Sequence, residues 1–173
     1  MTDVGGNNGV YVAGVNKAKM AKQSMITKQG ITVIIPTYNG SSWLPSTLQH
    51  VEAAIKDAKL EKYEVLFVND GSTDDTLEVI ASLQKKADYP IRVVTQKNGG
   101  RFVARRTGTN EAKYPNLLFV DTRVYIGKTS LSYLIMQHQA DQTRKVWCSH
   151  VRVDKKGNIY ARFWETVAFV AWR

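Results

Sequence analysis

The sequence has a single cysteine and no long hydrophobic run. With only Cys148, the chain cannot form an internal disulfide, and this cysteine usage is typical of a reducing compartment. No apolar stretch reaches the roughly 20 residues that a membrane-spanning helix needs, and the N-terminus lacks the hydrophobic core of a secretory signal. These absences lead us to expect a cytoplasmic protein.

Several common motifs are also missing. No G-x-G-x-x-G follows a predicted strand, which argues against a dinucleotide fingerprint. The run GKT at residues 127–129 ends like a phosphate-binding P-loop, but Thr122 stands where that motif needs its first glycine. Neither Cys148 nor the histidines have metal-ligand spacing; the histidines are His50, His138 and His150.

Acidic residues are scarce relative to basic ones. The chain has 15 Asp and Glu against 24 Lys and Arg, which gives a net charge of +9. Such a balance favours anionic partners, namely nucleotide phosphates, nucleic acid or an acidic membrane surface. The sequence shows no nucleic-acid-binding motif and no interleaving of aromatic with basic residues. We therefore expect no nucleic-acid partner.

The first 30 residues differ in composition from the rest. A Gly/Asn-rich start is followed by four lysines, which predicts a flexible basic arm over residues 1–30. A contact of this arm with phosphate, or with an acidic membrane at its cytoplasmic face, stays open as an alternative. We assign the remaining residues, 31–173, to one domain.

From residue 31, apolar strand patterns alternate with helical ones. Strands are predicted at residues 31–35 (ITVII), 65–68 (VLFV), 91–95 (IRVVT) and 116–120 (NLLFV). Amphipathic helices are predicted after the first three, the third running through Lys113, and a short helix at residues 130–139. This order predicts an α/β protein with a doubly wound, mostly parallel, Rossmann-like sheet.

The helices carry more detailed expectations. Ser41 or Ser42 is expected to cap the first helix, with Pro45 in its first turn, and residues 72–75 are expected to open the second. The expected buried positions fall into three sets, one in each of the first three helices: Leu44, Leu48, Val51 and Ile55; Leu77, Ile80 and Leu83; and the small residues Ala104, Gly108 and Ala112.

The last 30 residues are predicted to differ in structure. Residues 146–164 read as a β-hairpin around a turn at residues 154–158. The apolar run at residues 167–172 has nothing after it to cover it, so we expect a truncated domain that ends inside a larger one.

Polar residues cluster where the predicted strands end. The clusters are residues 36–39 (PTYN), 70–71 (DG) and 121–123 (DTR), with residues 98–100 (NGG) at a helix start. Because ligands bind at the carboxyl edge of an open α/β sheet, we expect these clusters to meet in one site. Backbone N–H groups at the helix start can bind an anion there.

In this order the clusters resemble the family 2 glycosyltransferases, whose nucleotide-binding half has the GT-A fold. Residues 31–39 resemble the family's first strand and P-x-Y-N turn, and residues 68–74 (VNDGSTD) its V-D-D-G-S-x-D motif. Residues 98–108 are similar to N-x-G-x-x-x-A-R-N-x-G, with Arg106 for the second Asn. Residues 121–123 lie where the family has D-x-D.

The resemblance implies a polysaccharide-biosynthesis transferase that moves a sugar from a nucleoside diphosphate sugar, usually a UDP-sugar, to a hydroxyl on a glycan, lipid or protein. It places Tyr38 against the base, Thr37 in the base pocket and Asp70 as an acceptor from the base. It places Asp121 at the ribose or a metal ion, and Arg105 near the phosphates. The implied nucleotide-sugar site comprises Pro36, Thr37, Tyr38, Asn39, Asp70, Gly71, Asn98, Gly99, Gly100, Arg105, Asp121 and Arg123.

Two departures from the family pattern bear on activity. Arg123 replaces the second acid of D-x-D, so we expect weakened binding of Mg²⁺ or Mn²⁺ at Asp121. The family's general base normally lies beyond residue 173, and Glu165 is too close to Asp121 to be assigned that role. An alternative therefore stays open, in which a degenerate transferase-like domain binds a nucleotide or nucleotide sugar without catalysis.

Overall fold

The computed structural model describes residues 28–141, 143 and 146. The chain divides into two compact units after Gln139, and the described residues of the first unit form a sheet with flanking helices. Four parallel strands make up the sheet in the order β3-β2-β1-β4. They are β1 (Ile31–Thr37), β2 (Tyr63–Asn69), β3 (Ile91–Thr95) and β4 (Asn116–Phe119).

Helices follow each strand, as the sequence predicts. They are α1 (Leu44–Asp57), α2 (Thr76–Lys86), α3 (Gly100–Glu111) and α4 (Ser130–Ala140). The α/β fold with a parallel sheet is therefore confirmed. The predicted hairpin, the apolar run at residues 167–172 and nearly all of the basic arm lie outside the described residues. Among the described helices, none has the length and apolarity to cross a membrane.

The sheet is covered on both faces, which explains its continuous apolar strands. On one face, Val33 and Phe67 pack into a fully buried cluster with side chains of α1, α2 and α4. On the other face, Ile34 and Leu66 pack against Ala104 of α3. Alternate residues of β1 and β2 thus face opposite cores, so both strands are buried along almost their whole length.

Strand β1 is longer than predicted and contains Pro36 near its end. The Ile34 carbonyl accepts from Val120 N, so the backbone groups of Ile34 and Pro36 point to the β4 side. Pairing with β4 ends at Ile34, so β1 has no neighbouring strand on that side at Pro36. The N–H group that proline lacks therefore costs no hydrogen bond between strands. The Pro36 carbonyl instead accepts from the Thr122 hydroxyl at 2.8 Å.

The first two helices begin differently from the prediction. Neither Ser41 nor Ser42 caps α1, whose N-cap position is held by Trp43 without a side-chain bond. The Gly40 carbonyl accepts from Trp43 N and Leu44 N instead, and Pro45 does lie in the first turn. Helix α2 starts at Thr76, with Asp75 of the expected stretch in the N-cap position but without a side-chain capping bond.

The expected buried residues of the first two helices are found in the core, with one exception. The four α1 positions are all buried, and so is Ile80 in α2, with Leu83 partly buried against the same core. Leu77 is wrong as a core residue, since it is 40% exposed. Thr76 is fully buried instead, because its hydroxyl accepts from Gly40 N and donates to Asp74.

Helix α3 ends at Glu111, short of the predicted Lys113, and Ala112 is extended. The cause is a fully buried carboxylate on β2: Glu64 Oε1 accepts from Lys113 N at 2.7 Å and from the Thr32 hydroxyl at 2.9 Å. Its other oxygen pairs with Arg92 at 3.2 Å. The backbone leaves the helix to make this bond, because a buried carboxylate without donors is costly.

We expect Gly108→Ala to lower the free energy of unfolding by about 1–3 kcal/mol, the usual cost of overpacking. A Cβ on Gly108 would lie 2.4 Å from Ile34 Cγ2, so α3 would have to move off the sheet. This loss opposes the gain of about 1 kcal/mol in helix propensity. Urea titration tests the change, with Asn110→Ala on the exposed side of α3 as the control. Equal or higher stability of Gly108→Ala would contradict the close packing.

Candidate functional site

A cavity of about 640 Å³ opens at the carboxyl edge of the sheet. Its volume lies in the range of small-molecule sites, and its place is where open α/β sheets bind ligands. Eight residues predicted for the site line it, namely Pro36, Thr37, Tyr38, Asp70, Asn98, Gly100, Asp121 and Arg123. Four further lining residues were missed: Arg101, Ala104, Thr122 and Val124.

Asp70 follows β2 and is only 4% exposed. Its Oδ1 accepts from Gln96 Nε2 at 2.7 Å and from Gly99 N at 2.8 Å. Its Oδ2 accepts from Gly100 N at 2.9 Å. The carboxylate therefore caps the N-terminus of α3, where a negative charge is favourable. A carboxylate has about four acceptor positions, so one remains for a ligand in the cavity.

Gly71 lets the chain pass close to the start of α3. Its φ of +73° is one that side-chain-bearing residues rarely adopt, and a Cβ there would lie 2.8 Å from Asn98 N. Neither Gly71 nor Gly99, both predicted for the site, lines the cavity. Gly71 thus brings the end of β2 against the segment before α3.

Asn39 and Asp74 join the loop after β1 to the loop after β2. Asn39, at a φ of +48°, accepts on its Oδ1 from Thr73 N at 2.8 Å. Asp74 accepts from Ser41 N at 3.2 Å and from Thr76. Desolvation, the largest single effect, raises the Asp74 pKa, but the hydrogen bonds from Thr76 and Ser41 together bring that pKa below its usual value. The carboxylate thus favours the folded loops above its unfolded-state pKa, and this effect is lost as the pH falls through the folded-state pKa.

Thr122 fixes the loop after β4. Its hydroxyl donates to the Pro36 carbonyl at 2.8 Å and lies 3.0 Å from the Thr37 hydroxyl. Its own carbonyl accepts from the Thr47 hydroxyl of α1. These bonds hold the two residues on either side of Thr122, Asp121 and Arg123, at the cavity wall.

Asp121 is paired with arginines of α3. Arg105 Nη2 lies 2.7 Å from Asp121 Oδ1, and Arg101 Nη1 lies 3.9 Å from Oδ2. The two arginines are four residues apart on the helix and therefore share a face. Arg105 was predicted near the phosphates; it contacts Asp121 but does not line the cavity, whereas Arg101 does.

Exposed aromatic side chains lie on the loops after β1 and β4, and one of them, Tyr38, lines the cavity. Tyr38 is 51% exposed, so a large part of its side chain is accessible to a planar ligand. The Arg123 guanidinium lies 5.7 Å from the centre of the Trp43 ring, a cation–π contact. Tyr125 stacks on His50 with ring centres 4.6 Å apart. This stack holds the loop after β4 against α1.

The donor set does not fit a divalent cation well. Among the residues that the structure describes, no three His, Cys, Asp or Glu side chains come together as metal ligands. Asp121 is the cavity's candidate ligand, yet Arg105 already occupies one of its oxygens. Cationic side chains this close repel a metal ion.

The sequence carried a weak signal for Arg101. It follows the NGG cluster directly, and a residue in the first turn of a helix that starts at the ligand edge can reach a bound anion. Ala104 had been noted for close packing, and Thr122 lies between two predicted site residues. Val124 had no signal.

The family model "Glycosyl transferase family 2" matches residues 32–171. Poly-beta-1,6-N-acetyl-D-glucosamine synthase from Staphylococcus aureus strain COL is 28% identical over 143 residues, which are 83% of this chain and 33% of that protein. The chain thus spans about a third of the length of this curated relative.

Solved structures agree with the sequence comparison. The S. aureus TarS 1-349 complex with UDP-GlcNAc superposes with a TM-score of 0.57 at 25% identity, covering 70% of this chain and 38% of that one. Mannosyltransferase PcManGT from Pyrobaculum calidifontis, in complex with GDP-Man and Mn²⁺, gives a TM-score of 0.53 at 21% identity, covering 69% and 35%. This second likeness concerns the fold alone.

We expect Asp70→Asn to lower the free energy of unfolding by about 1.5–3 kcal/mol, the range for hydrogen bonds to a charged group. An amide NH₂ in place of one oxygen would face N–H donors, and the charge at the start of α3 would be lost. Urea titration measures the loss. The control is Asp75→Asn, an exposed acid that makes no capping bond to α2 and should change stability by less than about 0.5 kcal/mol. Matching curves for the two variants would show that Asp70 does not cap α3.

Proposed function

The chain belongs to glycosyl transferase family 2, and from this premise we propose that the cavity binds a nucleoside diphosphate sugar of the UDP-GlcNAc type. In this proposal the domain supplies the donor-binding part of a hexosaminyltransferase. The sugar passes to a hydroxyl of a glycan, lipid or protein acceptor. The match of the family model also confirms the resemblance drawn from the sequence motifs.

One observation supports this proposal most directly. The cavity combines the exposed ring of Tyr38 with the guanidinium groups of Arg101 and Arg123. A ring face suits a nucleobase, and a guanidinium group donates paired hydrogen bonds to phosphate oxygens. A nucleoside diphosphate carries both features in one molecule. The curated relative named above makes a polymer of N-acetylglucosamine, which supports the choice of sugar.

The proposed roles follow from position. Tyr38 stacks on the base, and the remaining acceptor position of Asp70 receives a base N–H. Asp121 accepts a hydrogen bond from a ribose hydroxyl through Oδ2, because Arg105 is paired with Oδ1. The diphosphate lies beside Arg101 and Arg123. A divalent ion, if one is used, binds weakly here, because Arg123 repels it from Asp121.

Transfer itself needs an acceptor and a base. The acceptor oxygen forms a bond to the anomeric carbon while the bond from that carbon to the diphosphate breaks. The nucleoside diphosphate leaves, and a base takes the hydroxyl proton. We assign the base to no residue, and Glu165 lies outside the described residues.

The second candidate function is a domain that binds the donor without transferring it. The pairing of Asp121 with Arg105, together with Arg at position 123, favours this candidate. To distinguish the two candidates, the chain is incubated with UDP-GlcNAc, with and without an N-acetylglucosamine oligomer. The UDP released is then measured by chromatography. Turnover supports the transferase, while binding with no UDP released over hours supports the binding domain.

We expect Tyr38→Ala to weaken UDP-GlcNAc binding by about 1–3 kcal/mol, the usual value of base–aromatic stacking, while Tyr38→Phe keeps the affinity. Isothermal calorimetry provides the measurement. Tyr133→Ala is a matched control, because Tyr133 is 50% exposed and lies on α4 outside the cavity lining. An unchanged affinity in Tyr38→Ala would place the base elsewhere. No measurable binding of UDP-GlcNAc by the unmodified chain would refute the proposed function.

A further inference from the structure

We propose that Arg101 and Arg123 neutralise the donor diphosphate in place of a divalent metal ion, while Arg105 keeps Asp121 paired. This inference rests on the proposed function and specifies how the anionic part of the donor is bound. It follows from the mismatch between the donor set of the cavity and a metal ion. It also gives a role to Arg101, which the family pattern does not mark.

Asp121 is committed to a neighbour rather than open to an ion. Its contact with Arg105 at 2.7 Å is short for an ion pair, and the Asp121 side chain is 32% exposed. A charge-assisted bond of that length is among the stronger contacts a carboxylate makes. A metal ion at Asp121 would have to displace this guanidinium or share the carboxylate with it at close range, and both cost energy.

Arg101 is held far more loosely. Its guanidinium lies 3.9 Å from Asp121, and its side chain is 73% exposed. An exposed pair at that distance contributes little, so Arg101 is available for another anion. Its position in the first turn of α3, beside Gly100, points it along the cavity wall.

Part of the anion-binding capacity at the start of α3 is already used by Asp70. The N–H groups of Gly99 and Gly100 already donate to Asp70. The negative charge of Asp70 also offsets part of the positive end of the helix, so the start of α3 attracts a second anion less strongly. Side-chain cations have to supply the remaining positive charge, and Arg101 is the one that this helix adds to the cavity lining.

Arg123 supplies the second cation from the loop after β4. Within the described residues it has no hydrogen bond to another side chain, and its contact is with the Trp43 ring face. A cation–π contact holds the guanidinium plane and leaves the in-plane N–H donors free. These donors match the spacing of phosphate oxygens. Trp43 thus acts as a positioning residue for Arg123.

The test compares UDP with uridine by isothermal calorimetry, in EDTA and in Mn²⁺. Uridine lacks the diphosphate, so a residue that binds phosphate affects UDP alone. We expect wild-type UDP affinity in EDTA to stay within about 3-fold of that in Mn²⁺. Arg101→Ala and Arg123→Ala should each weaken UDP binding by about 10- to 100-fold and leave uridine unchanged, as for a lost charged hydrogen bond.

Two further variants sharpen the comparison. Arg106 is an exposed arginine of α3 outside the cavity lining, so Arg106→Ala should change the affinity for neither UDP nor uridine. Asp121→Asn removes the carboxylate that a metal ion would need but keeps an acceptor oxygen. Loss of the ribose contact and of the pair with Arg105 is expected to weaken UDP and uridine alike. If the arginines bind the diphosphate, the UDP affinity of this variant in EDTA still stays within about 3-fold of its affinity in Mn²⁺.

Each outcome bears on a definite claim. UDP binding that requires Mn²⁺ and disappears in Asp121→Asn overturns this inference and leaves the proposed function standing. Equal losses of UDP and uridine in the arginine variants show a structural role and also overturn it. Failure of the wild-type chain to bind UDP in either condition contradicts the proposed function instead. Metal-independent UDP binding with selective losses supports the inference.

Discussion

Two carboxylates at the ends of β2 hold α3 in place, and the cavity depends on that helix. Asp70 accepts from Gly99 N and Gly100 N where the helix starts, and Glu64 accepts from Lys113 N where the chain has just left it. Both acids are almost fully buried, at 4% and 0% exposure. Buried carboxylates are tolerated when donors surround them, and here the donors include backbone N–H groups of a single segment. The segment from Gly99 to Lys113 is thereby fixed against the sheet at both ends.

The middle of α3 packs closely against the sheet through small residues. Ala104 packs on the sheet, and Gly108 touches Ile34 so closely that no Cβ fits between them. Because both ends and the middle are constrained, the face of α3 that carries Arg101 and Arg105 has one position relative to Asp121. The backbone that carries Arg101 is thus fixed before a ligand arrives, while its guanidinium, which is 73% exposed, is free to turn toward an anion. The packing of the helix thus determines the electrostatics of the cavity.

Much of this arrangement follows from the sequence, and the remainder depends on side-chain bonds between distant residues. Strand β3 has the predicted bounds, and the parallel direction of the strands follows from the alternation of strands and helices. Both could be predicted because each depends on a local sequence pattern. The end of α3 was missed because it is set by Glu64, which lies 49 positions from Lys113 and reads in sequence as an ordinary strand-edge acid. Asp70 was placed at the site, but its use by α3 was not foreseen, because capping across elements leaves no local pattern. Arg101 was missed although its place directly after the NGG cluster is a weak local signal.

The exchange of an acid for Arg123 has an electrostatic consequence that can be reasoned from charge alone. In the D-x-D pattern two carboxylates carry two negative charges, and a divalent ion held there would bring two positive ones. With Asp121 and Arg123 the same positions carry one charge of each sign. The net charge at these two positions is therefore the same as in the family pattern with its ion bound. What changes is the geometry, since a guanidinium group donates directed hydrogen bonds in one plane whereas an ion accepts ligands from several directions. The planar geometry restricts which phosphate oxygens can be bound together, and the side chain, unlike an ion, stays attached to the protein.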